Sequence, residues 1–120
     1  VQATIAAVHS DAASAADTDW AQIVALYDLL LQMSPSPIVE LNRAVAVAMR
    51  DGYPAGLRQI DEILGRGDLT DYHLAHAARA DLCRRLGKTT EARAAYQQAI
   101  ARVKQEPERR FLERRLRELG

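Results

Sequence analysis

The sequence predicts an all-α fold, a stack of antiparallel helix hairpins of about seven helices closed by a C-terminal capping helix. Three observations predict it. Ala, Leu, Arg, Gln and Glu dominate, apolar residues recur at spacings of three and four, and no stretch alternates as a strand would. Pro, Gly and Asp then cut the chain into segments of helical length joined by tight turns.

The first helix is expected from about Gln2 to Ser14. A second follows the capping residues Asp17 to Asp19, with Trp20, Ile23, Val24, Tyr27, Leu30 and Leu31 on one stripe, and Pro35 and Pro37 stop it. Ser36 precedes a third helix, with Pro37 in its first turn and Asp51-Gly52 at its end. The fourth covers Pro54 to Leu64 and stops at "GRGD". Asp71 to Leu86, ended by Gly87, is the fifth; Thr90 to Lys104 is the sixth; Pro107 to Leu119 is the last.

The third helix poses a question, because "SPSPIVELNRAVAVAMRDG" sets Asn42 and Arg43 inside an apolar run. Helical geometry puts Ile38, Leu41, Val45, Ala48 and Met49 on a candidate core stripe, with Glu40, Arg43, Val47 and Arg50 opposite. Asn42 falls beside Ile38, Val45 and Met49. It is therefore expected to be partly buried, bonded to backbone groups of the adjoining turn and fixing helix register. Contact with a ligand is the functional alternative for Asn42 and Arg43.

The chain has 120 residues, enough for one domain over residues 1–120, with 48% hydrophobic and 27% charged residues. Sixteen basic residues balance sixteen acidic ones, so no net field collects phosphates, and direct DNA binding is not expected. The single Cys83 excludes an intrachain disulfide and every multi-cysteine zinc pattern, which suits a reducing, cytoplasmic setting. No apolar run approaches the roughly 20 residues that span a bilayer, so no membrane partner is expected. The opening "VQATIAAVHS" reads as mid-helix, as in a piece of a longer protein.

Hairpins of this size invite a test for internal repeats. Gly52 and Gly87 lie about one tetratricopeptide length apart, and Tyr27 and Tyr96 about two, the unit being about 34 residues. In "HAARADLCRRLGKTTEARAAYQQAI" small Ala80 precedes the turn at Gly87, and Ala92, Tyr96 and Ala99 follow at four and three, which resembles a tetratricopeptide unit. "IVALYDLLLQMSP" resembles the second half of another. The middle unit, Pro37 to Leu64, is degenerate, with Leu57 and Asp61 where a small residue and an aromatic are expected.

Four blocks carry a wider resemblance: "IAAVHSDAASAADTDWAQIVALYDLL", "SPIVELNRAVAVAMRDG", "YHLAHAARADLCRRLGKTTEARAAYQQAI" and "ERRFLERRL". Together they resemble the C-terminal tetratricopeptide-like extension of bacterial extracytoplasmic-function sigma factors. The chain departs from that family's usual pattern at Tyr53, which separates Gly52 from Pro54, and at Cys83, which replaces an aliphatic residue. The resemblance implies a right-handed hairpin stack that tunes transcription initiation by contacting its own sigma regions or the RNA polymerase core. A free-standing tetratricopeptide adaptor holding a partner peptide in its concave groove is the alternative.

No nucleophile elbow, phosphate loop or paired-carboxylate motif is present, so no catalytic residue, cofactor or metal is expected. His73 and His76 lack a third ligand, and Cys83 reads as a small core residue. Asp81, expected on the inward side near Leu74, Ala77, Ala78 and Leu82, has Arg84 and Arg85 at three and four, a structural ion pair in one reading. In the other, Arg79, Asp81 and Arg84 form a recognition patch. The final "PERRFLERRLRELG" places Phe111, Leu112, Leu116 and Leu119 as a cap, with Glu106 to Arg110 and Glu113 to Arg117 as four-apart pairs. The candidate partner-binding residues are thus Asn42, Arg43, Arg79, Asp81, Arg84 and Arg110.

Overall fold

The computed structural model describes residues 18–119. They form six helices: α1 Trp20–Met33, α2 Pro37–Asp51, α3 Tyr53–Gly65, α4 His73–Arg85, α5 Thr89–Arg102 and α6 Glu106–Glu118. No strand occurs among the described residues, so this part of the chain is all-α. The helix expected from Gln2 to Ser14 lies outside them. No described helix is long and apolar enough to cross a membrane.

Local chemistry accounts for the boundaries. The Asp19 carboxylate accepts the Gln22 backbone N–H at 3.0 Å and so caps α1. Pro37 and Pro54 occupy first turns, where no intrahelical N–H bond is lost. Between α2 and α3 there is a single residue, Gly52, whose φ of 108° lies in the region that a side chain disfavours. Tyr53 thus becomes the first residue of α3, and its hydroxyl accepts a 3.0 Å bond from Arg85 while its ring lies under the same guanidinium. Helix α4 closes with Gly87 at φ 75°, the Lys88 N–H donating to the Cys83 carbonyl at 2.8 Å.

Each helix packs chiefly on its chain neighbours, and the buried residues form two clusters. Ile23, Val24 and Tyr27 of α1 meet Ala46 and Val47 of α2. The larger cluster runs from Leu41, Ala44 and Ala48 of α2 through Ile60, Ala80, Cys83 and Tyr96 to Leu112 of α6. Helix α2 contributes to both.

That double burial corrects the expected core stripe. Leu41 and Ala48 are buried as expected, but so are Ala44, Ala46 and Val47, whereas Ile38 and Val45 are 43% and 37% exposed. A helix that is apolar on almost every side carries no periodicity to say which side faces its neighbours. The small Ala44 and Ala48 won because α3 approaches closely there, at Gly56.

The middle unit is also more regular than its sequence suggested. Tyr27, Ile60 and Tyr96 are each the eighth residue of α1, α3 and α5, and all three are buried. The small residue against α2 is Gly56, not Leu57, and the bulky core residue is Ile60, not Asp61. The expected register was one residue late. At the C-terminal end Leu112 is buried and Leu116 and Leu119 pack on the core, but Phe111 is 48% exposed and belongs to the surface.

Candidate interaction face

Arg43 defines the two sides of α2. Its Nε donates to Asp28 of α1 at 2.6 Å and its Nη1 to Gln59 of α3 at 3.3 Å, so α1 and α3 both lie on its flank. Ile38, Asn42, Val45 and Met49 occupy the other flank of the same helix. The exposed large apolar side chains beyond α1 are Ile38 and Val45 on α2, Leu74 on α4 and Phe111 on α6. Among the described residues, α3 and α5 expose none.

Leu74 and Phe111 share one cleft of about 350 Å³, completed by His73, Ala77, Pro107, Glu108 and Leu112. Its two polar members satisfy each other, His73 Nε2 lying 2.8 Å from a Glu108 carboxylate oxygen. What remains facing outward is apolar. Sequence reasoning missed this cleft because leucine and phenylalanine at helical spacing read as core, and only the crossing of α4 and α6 separates Phe111 from Leu112.

The six candidates do not form one site. Asn42 is half-buried and its side chain makes no hydrogen bond among the described residues, so it is not the bonded structural amide that was expected. Arg43 is tied to α1 and α3. Arg79 donates to Asp61 of α3 at 2.7 Å; burial works hardest against its charge, but the Asp61 bond and charge, with Cys83 and Glu91 adding to them, together outweigh burial and raise its pKa. These two arginines are equivalent: each is the seventh residue of its helix, and each holds an aspartate, Asp28 or Asp61, that is the ninth residue of the preceding one.

Asp81 accepts from Arg84 at 2.7 Å and from Arg85 at 3.0 Å on its own helix, as the spacings of three and four implied. Its side chain is 40% exposed, not inward-facing, and Leu74 is exposed as well. Arg79 belongs to a different contact, so an Arg79-Asp81-Arg84 cluster is not assembled. The Asp81 bond raises the Arg84 pKa, Tyr96 adds to that, and the buried Arg84 Nε has no acceptor. Arg110 is 74% exposed and lies 3.4 Å from Glu106. The expected Glu113–Arg117 pair is not formed among the described residues.

The remaining reactive side chains are engaged elsewhere. His76 Nε2 lies 2.7 Å from the Thr70 carbonyl, turned away from the His73–Glu108 pair. Among the described residues no three His, Cys, Asp or Glu side chains converge as metal ligands do. Cys83 is fully buried, and burial pushes its thiol pKa up, away from the reactive thiolate.

No protein-family model matches the chain, and no solved structure does. An uncharacterized protein of Rhizobium meliloti is 44% identical over 101 residues, which is 84% of this chain and 23% of that protein. The chain therefore spans about a quarter of the relative it matches.

Proposed function

We propose that this chain is a non-catalytic interaction domain, the C-terminal extension of a bacterial extracytoplasmic-function sigma factor. It is a right-handed, tetratricopeptide-like stack of helix hairpins, capped by α6, that tunes transcription initiation by contacting its own sigma regions or the RNA polymerase core. The observation that carries the reading is the uneven surface: large apolar side chains exposed on α2, α4 and α6 and none, among the described residues, on α3 and α5. A helical stack with no partner gains nothing by keeping Leu74 and Phe111 in water around a shaped cleft. The register shared by Tyr27, Ile60 and Tyr96, and by the pairs Asp28–Arg43 and Asp61–Arg79, supports a repeat architecture. The four sequence blocks supply the sigma-factor part.

A free-standing adaptor that grips a peptide draws on the same exposed apolar residues. Peptide-carboxylate clamps need free cations on successive inner helices, and Arg43 and Arg79 are both committed to aspartates. Affinity capture discriminates the two readings. The immobilised domain should retain purified sigma regions or polymerase core and should not retain promoter DNA. Retention of neither protein would remove the sigma-factor reading.

A further inference from the structure

We infer that the cleft between α4 and α6 is a docking site for an acidic amphipathic helix, one apolar residue seated between Leu74 and Phe111 and its carboxylates against the arginines of α6. This deepens the reading of the chain as an interaction domain and rests on it.

The cleft has the volume for a large side chain, about 350 Å³, and an apolar floor of Ala77, Pro107 and Leu112. Its polar groups cannot select a partner, because His73 and Glu108 are bonded to each other. The selection falls to the rim. Most carboxylates there are already engaged: Glu108 by His73, Glu118 by Arg115 at 3.4 Å, Glu106 by Arg110 at 3.4 Å, and Asp81 by Arg84 and Arg85, which leaves Glu113 as the one α6 carboxylate without an ion pair among the described residues. Arg110, Arg114 and Arg117 stand exposed in a line along α6, at spacings of four and three. Arg114 and Arg117 form no ion pair among the described residues, and Arg110 holds only its one contact. The Arg115 guanidinium lies over the Phe111 ring, 5.3 Å from its centroid, bringing a further cation to the edge of the apolar surface. A row of exposed guanidinium groups beside an apolar cleft, two of the three without an ion pair among the described residues, complements a helix with an apolar anchor and a row of carboxylates.

The test uses two labelled helical peptides of about four turns, each with Leu and Phe anchors four apart. One carries Glu at every flanking position and the other Lys. Fluorescence anisotropy with this chain should show the Glu peptide binding at least tenfold more tightly than the Lys peptide. Phe111→Ala should weaken the Glu peptide about tenfold, the usual loss on truncating an aromatic anchor. Arg114→Glu should weaken it too, and more at low salt than at high. Gln97→Ala, exposed on α5, should leave it unchanged, and circular dichroism should show all variants folded. Equal binding of the two peptides, binding indifferent to Phe111→Ala, or no binding of the Glu peptide would overturn the proposal. So would a self-association that Phe111→Ala abolishes, which would make a second copy the occupant. Peptide binding is read on this chain alone, so it can fail while capture of sigma regions or polymerase core succeeds, and the reverse.

Discussion

Gly56 faces Ala48 across the α2–α3 crossing so closely that a Cβ on residue 56 would sit 2.4 Å from the Ala48 Cβ and 2.7 Å from the Ala44 carbonyl oxygen. The neighbours are backbone and a methyl group, so neither can turn away. Gly56→Ala should therefore destabilise the fold by about 1 to 3 kcal/mol, even though alanine favours a helix. Gly65→Ala is the control, because nothing lies within 4 Å of its added methyl. It should be neutral or stabilising by up to about 1 kcal/mol in chemical denaturation. Equal effects would mean that α2 and α3 do not meet as described.

Asn42 and Arg43 exchange the roles their sequence suggested. With no side-chain hydrogen bond to lose among the described residues, Asn42→Leu should change stability by less than about 0.5 kcal/mol. Arg43→Ala should cost about 1 kcal/mol, because the Asp28 and Gln59 bonds tie three helices. A double-mutant cycle of Arg43 with Asp28 should give a coupling of about 0.2 to 1 kcal/mol, and Arg79 with Asp61 a similar one. A large loss at Asn42 would reverse the assignment.

The first and last turns were legible, and the facing of the helices was not. Pro37 with Gly52, Asp19 and Gly87 mark helix ends by backbone chemistry that acts within a few residues, and α2 begins and ends where those signals lie. Which flank of α2 is buried depends on α1 and α3 together, and an apolar run such as "AVAVAM" fits several rotations. The Arg43–Asp28, Arg66–Glu40 and Arg79–Asp61 pairs join residues 15, 26 and 18 positions apart across neighbouring helices, so no spacing within one helix announces them. The cleft of Leu74 and Phe111 was hidden for the same reason: its residues belong to α4 and α6.

Neighbouring residues of α6 should separate core from surface. Leu112 is 5% exposed and closes the large cluster, so Leu112→Ala should cost about 2 to 5 kcal/mol. Phe111→Ala should cost less than about 1 kcal/mol. Removing residues from Pro107 onward should strip the end of the core, lowering the melting temperature and solubility together. Matching losses for the two single variants would place Phe111 in the core.

Stability should fall on the alkaline side. Burial holds the Cys83 pKa above its ordinary value, so the folded chain keeps a proton that the unfolded chain loses from about pH 8.5 upward. The stabilisation is full below that pH and disappears as pH rises through the folded value. Tyr27 and Tyr96, raised chiefly by burial, extend the decline above about pH 10. Cys83→Ala should flatten the first part of the profile in melting scans from about pH 7 to 10. An unchanged slope would mean that the thiol is not buried.

On the proposed function, the apolar surface of α2, α4 and α6 is covered by the transcription machinery. A promoter reporter driven by the full-length protein tests it most directly, comparing the native chain with Val45→Glu and Leu74→Glu, each variant also melted as the isolated domain. Both side chains are exposed, so the substitutions should leave the melting temperature within a few degrees while changing reporter output several-fold. Reporter output unchanged by both variants and by removal of the whole domain would contradict the account.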